Sequence, residues 1–320
     1  MINFQRYNQN YKRPTVISIY FTSYHLLMIL LILVNVAFIT LMERKILGLI
    51  QSRKGPNKVS IFGILQPIAD AAKLFLKESI SPISRNYLLF FISPVIGIVL
   101  AIILWFTYPV ISGLNILSLS GILLIVVLGL GIYPLFLSGW SSNRKYGIVG
   151  SLRGIAQTIS YDIRLSLILI SVLLIRKCLT VFEVRLFVKR GLVFLVSPIL
   201  FFFWLLSCVA ETNRTPFDFS EGESELVSGF NIEYGGLGFT LIFIAEYSII
   251  LFFSAISATF FLISFDSKFL ISLRLLVLGF FWVWLRATYP RYRYDKLINI
   301  AWKVLLPVRL CITCWLVVAS

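Results

Sequence analysis

Charge is what this 320-residue chain has least of: 13% of its residues are Asp, Glu, Lys or Arg, against 59% hydrophobic. A soluble domain carries about a quarter charged residues, so a water-exposed globule is excluded and a bilayer-embedded chain fits. One histidine and four cysteines (Cys178, Cys208, Cys311, Cys314) leave little for metal chemistry. Cys311 and Cys314 form a CxxC, but in an apolar run with no second ligand pair, which favours packing over a metal site. His25, alone at the start of an apolar segment, suits an interfacial position. There is no GxGxxG, hence no signal for a dinucleotide loop. Acidic residues are scarce too, 14 against 29 Lys and Arg, for a net charge of +15. That excess invites a nucleic-acid reading. The cations sit in short loops between apolar runs, however, a pattern that sets membrane topology rather than a basic docking face, so no nucleic-acid partner is expected.

What is present is apolar length. Windows of spanning length fall at 22–42, 87–108, 117–139, 148–175, 191–210, 237–263, 268–286 and 297–318. Each needs about 20 residues to cross the hydrocarbon core. The expected fold is therefore an all-α integral membrane protein of about eight transmembrane helices in a single polytopic domain over residues 1–320. Several windows contain Gly, Pro or Arg, so breaks or tilts are expected. Residues 1–21 read as a polar, basic extension without a signal-peptide cleavage pattern. Residues 61–78 are too short and polar to span. Ile64, Leu65, Ile68, Ala72, Phe75 and Leu76 follow helical spacing, with Asp70, Lys73 and Lys77 on the other face, which predicts an interfacial helix after the first span. Loops 1–2, 3–4, 5–6 and 7–8 carry the larger share of Lys and Arg. The positive-inside rule puts them on the cytoplasmic or matrix face, against the crowd of Arg176, Lys177, Arg185, Lys189 and Arg190 on the other.

Half of the acidic residues fall in one stretch: Glu211, Asp218, Glu221, Glu223, Glu225, Glu233 and Glu246, with Arg214 the sole cation among them. A solvated acidic loop over 211–236 is the plain alternative. Against it, Glu211 directly follows the apolar run 201–210, and Glu246 lies inside the next span, where carboxylates usually face a cavity, a partner or a proton path. Ser220-Glu221-Gly222-Glu223 fits a capping box, and a helix starting there puts Glu221 and Glu225 on one face. Carboxylates so close cannot all ionise easily, so at least one should bind and release protons near neutral pH.

Four other charged groups stand out. Glu43 follows the first apolar span and could pair with a cation; Arg44, Lys45, Arg53, Lys54 and Lys58 nearby suit topology anchors. Asp162 and Arg164 lie within the fourth span about 200° apart on a helix, so each should seek its own partner. Arg286 and the run Pro290-Arg291-Tyr292-Arg293-Tyr294-Asp295 close the seventh loop. If extended, that run puts Arg291, Arg293 and Asp295 on one side and the tyrosines on the other. Lys303, in the final span, also needs a partner or a wet cavity.

These residues carry a family resemblance. Glu43-Arg44-Lys45, Arg53-Lys54-Gly55-Pro56-Asn57, Gln66-Pro67 with Asp70, and the run Ala210-Glu211-Thr212-Asn213-Arg214-Thr215-Pro216-Phe217-Asp218 resemble the signatures of subunit 1 of NADH:ubiquinone oxidoreductase, respiratory complex I, in its mitochondrial form. So do Glu221-Gly222-Glu223-Ser224-Glu225-Leu226-Val227, Glu233-Tyr234 and the 290–295 run, in order from about 24 to 310. The resemblance implies a mitochondrial inner-membrane subunit that walls the quinone tunnel where the membrane arm meets the peripheral arm. It also implies ubiquinone as substrate, with NADH, FMN and Fe–S clusters held by other complex I subunits, and no catalysis by this chain alone. Carried over by position, Glu211, Glu221, Glu223 and Glu225 form the acidic loop beside Arg214. Glu43, Asp162, Glu233 and Glu246 continue a charge path, with Arg44, Arg53, Arg286, Arg291 and Arg293 as counter-charges. Asp70, Asp218 and Asp295 belong to the same signatures. Asp162 stands where the family usually has Glu, Arg144-Lys145 is more basic than usual, and the first twenty residues exceed the usual start. Two other classes share buried carboxylates: a stand-alone secondary transporter, although no internal repeat is found, and the membrane subunit of a hydrogenase-type complex.

Overall fold

A computed structural model describes residues 14–79, 82–108, 119–188, 198–220, 222, 229–262 and 268–319. The described residues form helices and no strand: α1 (Pro14–Ile50), α2 (Gln66–Leu76), α3 (Tyr87–Phe106), α4 (Ser120–Leu130), α5 (Ile132–Ser142) and α6 (Lys145–Arg176) in the first half. There follow α7 (Val181–Val188), α8 (Pro198–Glu211), α9 (Gly236–Phe261), α10 (Lys268–Thr288), α11 (Tyr294–Ile300) and α12 (Leu306–Ala319). Six stretches are long and apolar enough to cross a membrane: Ser23–Ile50, Tyr87–Phe106, Ser120–Ser142, Lys145–Ile175, Gly236–Phe261 and Tyr294–Val318. Of the other two expected spans, 191–210 falls on α8 with its residues 191–197 outside the described ones, and 268–286 falls on α10. This is an all-α membrane protein.

The expected breaks have local causes. The third span divides at Gly131 into α4 and α5. Pro134, three residues on, has no N–H to give the Leu130 carbonyl and its ring crowds that turn. The last span passes through a π-helical turn, Ala301–Leu305, between α11 and α12. Pro307 frees the Lys303 carbonyl there, and a π turn accommodates the lost bond. Inside α3, Pro94 cannot donate to the Phe90 carbonyl. The Tyr234 hydroxyl supplies that donor from outside the helix, at 3.3 Å, and pairs with Ser93 Oγ at 2.8 Å. The Tyr234 ring stacks on Phe90 with centroids 4.2 Å apart. Burial pushes the Tyr234 phenol above its ordinary pKa, which keeps it a proton donor.

The core gathers around α9, which packs against α1, α2, α3, α7, α8 and α10. A helix apolar on every side is a buried helix, and small residues (Ser248, Ser254, Ala255, Ser257, Ala258) let its neighbours approach. Phe253, Phe260 and Phe261 surround the fully buried Trp204 of α8. Helices α5 and α6 meet through Gly139 and Ser151, where a Cβ added to the glycine would lie 2.1 Å from Ser151 Oγ. The helix predicted over 61–78 is a 3₁₀ turn (Ile61–Gly63) followed by α2, which rests on α1 and α9. Its apolar residues Ile64, Leu65, Ile68, Phe75 and Leu76 stay exposed, so this chain leaves that face uncovered.

Candidate functional site

Glu43, near the end of α1, is 6% exposed and fully engaged. Tyr247 of α9 donates its hydroxyl to Glu43 Oε2 at 2.6 Å. Arg286 of α10 donates to Oε1, and Arg214 Nη1, from the loop after α8, lies 3.5 Å from the same oxygen. The Arg214 guanidinium stacks 4.4 Å from the centroid of the Tyr247 ring. These groups line a cavity of about 20 Å³, the size of one water molecule. Burial works against the charge of Arg214, but Tyr247, Glu43 and Glu246 outweigh it and hold its pKa above the ordinary arginine value. A carboxylate buried with two guanidiniums and a phenol keeps its charge because both of its oxygens have donors. A cation for Glu43 to pair with is therefore present twice.

A second cavity, about 110 Å³, lies between α3, α4, α5, α6 and α9. Its walls are largely apolar (Leu100, Leu104, Leu128, Phe230, Ile249), and the breaks at Pro94 and Gly131 both open onto it. The polar groups facing it are few: Ser93, Ser138, Thr158, Thr212, Asn213 and the carboxylates Glu211 and Glu246. Glu211 Oε2 is buried and has no hydrogen-bond partner, as is true of Asn213 Oδ1. Asp162 is within electrostatic range of Glu211, and a Cβ on Gly129 would come 3.1 Å from Asp162 Oδ2. Apolar walls with a few converging polar groups are the usual make-up of a binding or transfer site.

The loop between α8 and α9 is pinned by groups the sequence reading passed over. Gln157, fully buried on α6, donates through Nε2 to the carbonyls of Ala210 and Phe217, both at 2.8 Å. Gly150 and Gly154, four apart on α6, admit the backbone at both edges of the acidic segment. A Cβ on Gly150 would lie 2.9 Å from Gly229 Cα and 3.0 Å from the Ser220 carbonyl, and one on Gly154 would lie 3.0 Å from Ser220 Cβ. The signal was available: two glycines one helical turn apart inside an apolar span mark close helix packing. Glu221, Glu223 and Glu225, with the capped helix expected from Ser220, lie outside the described residues.

The remaining expected residues scatter. Arg291 donates to the Asp218 carbonyl and lies 3.6 Å from its carboxylate, while the Tyr292 N–H donates to the Pro216 carbonyl at 3.1 Å. The expected extended row does not continue, because α11 begins at Tyr294. Asp295 occupies its first turn, where a carboxylate meets the positive end of the helix, and Arg293 pairs locally with it at 3.2 Å in the open. Tyr292 turns inward to Phe217, with centroids 5.7 Å apart. Arg44 pairs with Asp70, which also accepts from Gln66 at 2.9 Å. Arg144, one of the basic departures, lies 3.6 Å from Glu233. Arg53 and Lys303 are exposed and stand apart from both cavities.

Comparison with known proteins agrees with the residue-level signatures. The sequence model of the NADH dehydrogenase family matches residues 24–317. NADH-ubiquinone oxidoreductase chain 1 of Aedes aegypti is 46% identical over 285 residues, 89% of this chain and 91% of the relative. The chain 1 protein of Anopheles gambiae is 47% identical over 293 residues, again 89% and 91%, and that of Bradypus variegatus 44% over 291, 89% and 92%. With family signatures, helical membrane fold and near full-length identity in agreement, this chain belongs to the NADH dehydrogenase family whose relatives are chain 1 of NADH-ubiquinone oxidoreductase.

Proposed function

We propose that the chain is a core membrane subunit of proton-pumping NADH:ubiquinone oxidoreductase in the mitochondrial inner membrane, where it walls the quinone tunnel and couples quinone reduction to proton translocation. The observation that carries this reading is the pair of carboxylates, Glu211 and Glu246, facing one largely apolar cavity, with Glu211 Oε2 lacking a partner. A carboxylate without a committed partner can change protonation state without breaking an ion pair, whereas a fully paired one cannot. Arg214 interacts with both Glu43 and Glu246, so it links the closed cluster to the open cavity. A change of charge near Glu43 is then felt at Glu246 through a shared cation.

The quinone enters as substrate. The exposed apolar face of α1 (Leu26, Leu30, Leu31, Val34) and that of α2 suit an isoprenoid tail and a wall completed by neighbours. NADH, FMN and the Fe–S clusters belong in this reading to other complex I subunits, which supply the electrons and complete the headgroup site. Loops 1–2, 3–4, 5–6 and 7–8 face the matrix. Asp70, Arg44 and Arg53 line the tunnel side, and Asp218, Glu221, Glu223, Glu225, Glu233, Asp295 and the arginines 286, 291 and 293 belong to the charge path.

The test compares Glu211→Gln and Glu221→Gln with Glu183→Gln in the assembled complex, with assembly checked by native gel. Glu183 lies in the first turn of the short helix α7, away from both cavities. Turnover and pumping should fall in the first two and hold in the third. Normal turnover and pumping in both acidic-loop variants would remove the proton path. Quinone-mimicking photoaffinity probes should label residues 43–78; labelling confined to the opposite face would reverse the assigned tunnel side.

A further inference from the structure

Arg144 and Lys145 are assigned no role by the proposed charge path, yet the fold gathers further groups around them. Asn143 closes α5 in the left-handed conformation, at φ 50°, which asparagine tolerates. Its Nδ2 donates to the Ser84 carbonyl at 3.2 Å, and the Asn86 N–H donates to the Ser141 carbonyl at 3.0 Å. Arg85 and the Arg144–Lys145 pair therefore come from two chain segments held side by side. Both segments lie at one end of two packed helices, before α3 begins and after α5 finishes.

Positive charge is in surplus there. Arg144 lies 3.6 Å from Glu233, but its side chain is 56% exposed, and Lys145 is exposed. Among the described residues no carboxylate pairs with Arg85 or Lys145, and Arg85 Nη1 has no acceptor. Lys77 and Glu78, whose carbonyls meet Gly236 three residues from Glu233, add one charge of each sign. Three cations thus meet one carboxylate. Arg85 is held by rings instead, 4.9 Å from the centroid of Tyr87, 5.4 Å from Phe90 and 5.1 Å from Phe91. Aromatic faces orient a guanidinium without neutralising it.

What adjoins the cations is apolar and exposed. Tyr87, Trp140 and Tyr146 flank them, amphipathic rings of the kind that sit at headgroup level. From there α3 exposes Leu88, Phe91, Ile92, Val95 and Val99, whose spacing makes one stripe along the helix. The stripe runs for about 16 Å at 1.5 Å per residue. That is one leaflet's share of a hydrocarbon core about 30 Å thick. An acidic segment of a neighbouring protein would match the cations but not the stripe. A phospholipid matches both.

We propose that Arg85, Arg144 and Lys145 bind the phosphate headgroup of an anionic phospholipid whose acyl chain lies along the exposed stripe of α3. Arginine presents a planar fork to phosphate oxygens and lysine a point charge. Basic clusters at the ends of transmembrane helices take anionic headgroups in this way.

The experiment places the assembled complex in nanodiscs of phosphatidylcholine with a small fraction of phosphatidylglycerol that carries a photoreactive group near its headgroup. Labelled peptides are mapped by mass spectrometry. Label should fall within residues 84–92 and 140–146. Excess unlabelled phosphatidylglycerol should displace it, and excess phosphatidylcholine should not. In the double variant Arg144→Gln, Lys145→Gln the apparent affinity should fall about twentyfold, from about fivefold for each cation lost. Arg144→Lys should keep most of it. If the double variant does not assemble, displacement by the two lipids in the wild-type complex decides. Equal displacement by both lipids overturns the proposal, since it marks ordinary surrounding lipid. Unchanged affinity in the assembled double variant overturns the role of the cations. Cross-linking of these peptides to a neighbouring subunit, with no lipid label, overturns the site in favour of a protein partner.

Discussion

Two carboxylates mark the ends of a contrast within this protein. Glu43 lies near and Glu211 at the C-terminal end of an apolar helix, and Glu43 and the Oε2 atom of Glu211 are buried. Glu43 has Tyr247, Arg286 and Arg214 around it in a space fit for a single water. Glu211 faces a cavity about 110 Å³ in volume, and one of its oxygens touches no donor. In the proposed reading the same side chain is a fixed charge in one place and an exchangeable one in the other, and the difference lies in what surrounds it. A charge satisfied from every side stabilises the assembly of helices that satisfies it. A charge left partly open can change state without dismantling the fold.

The largest expected effect breaks the closed end. Glu43→Ala leaves two guanidiniums and a buried phenol without their shared acceptor and should cost about 3–5 kcal/mol. Heat-induced dissociation on native gels would read it as loss of the assembled complex at markedly lower temperature. At the open end, Glu211→Gln keeps the shape and removes only the exchangeable proton. Turnover should fall by about a hundredfold with thermal stability close to wild type, and a matching loss of stability would place Glu211 in the same class as Glu43.

Much of this contrast was legible in the sequence, and the reasons it was not wholly so are local. Apolar length located the spans, because hydrocarbon thickness leaves little choice. Proline and glycine announced breaks or tilts without placing them; the structure puts two in the third and last spans, where a proline's missing donor acts. That Glu43 could pair with a cation followed from its place after an apolar run. Which cation did not, because Arg214 and Arg286 reach it from segments 171 and 243 residues away in sequence. The 290–295 run was expected to be extended throughout. Its alternation of Arg and Tyr suits a strand, but α11 starts at Tyr294, and docking of Tyr292 on Pro216 and Phe217 overrides the alternation. Gln157 escaped notice because a buried amide has no sequence signature until its two carbonyl partners are known. Arg164 was expected to seek its own partner; buried on α6, it donates Nε to the Ser160 carbonyl of its own helix at 2.7 Å.

Smaller effects sharpen the comparison by testing what holds the open site in shape. Gly150→Val would drive a branched side chain into the Ser220 carbonyl and Gly229 backbone, at a cost of about 1–3 kcal/mol. Limited proteolysis should then cut more readily near residues 220–229, whereas unchanged protection would show that α6 does not seat the acidic segment. Tyr234→Phe keeps the stack on Phe90 but removes the donor that replaces the missing Pro94 N–H, and should cost about 1–2 kcal/mol in thermal stability. Asp70→Asn, which weakens an exposed pair with Arg44, should change stability by less than about 1 kcal/mol.

The most direct measurement is the redox-induced infrared difference spectrum of the assembled complex, recorded as quinone is reduced and reoxidised. Protonated carboxyl groups absorb apart from carboxylates, so a group that exchanges its proton during turnover gives a difference band. That band should be present in the wild-type complex, absent in Glu211→Gln, and retained in Glu43→Gln if that variant assembles. A band that survives in Glu211→Gln and disappears in Glu43→Gln would contradict the assignment of the closed and open ends.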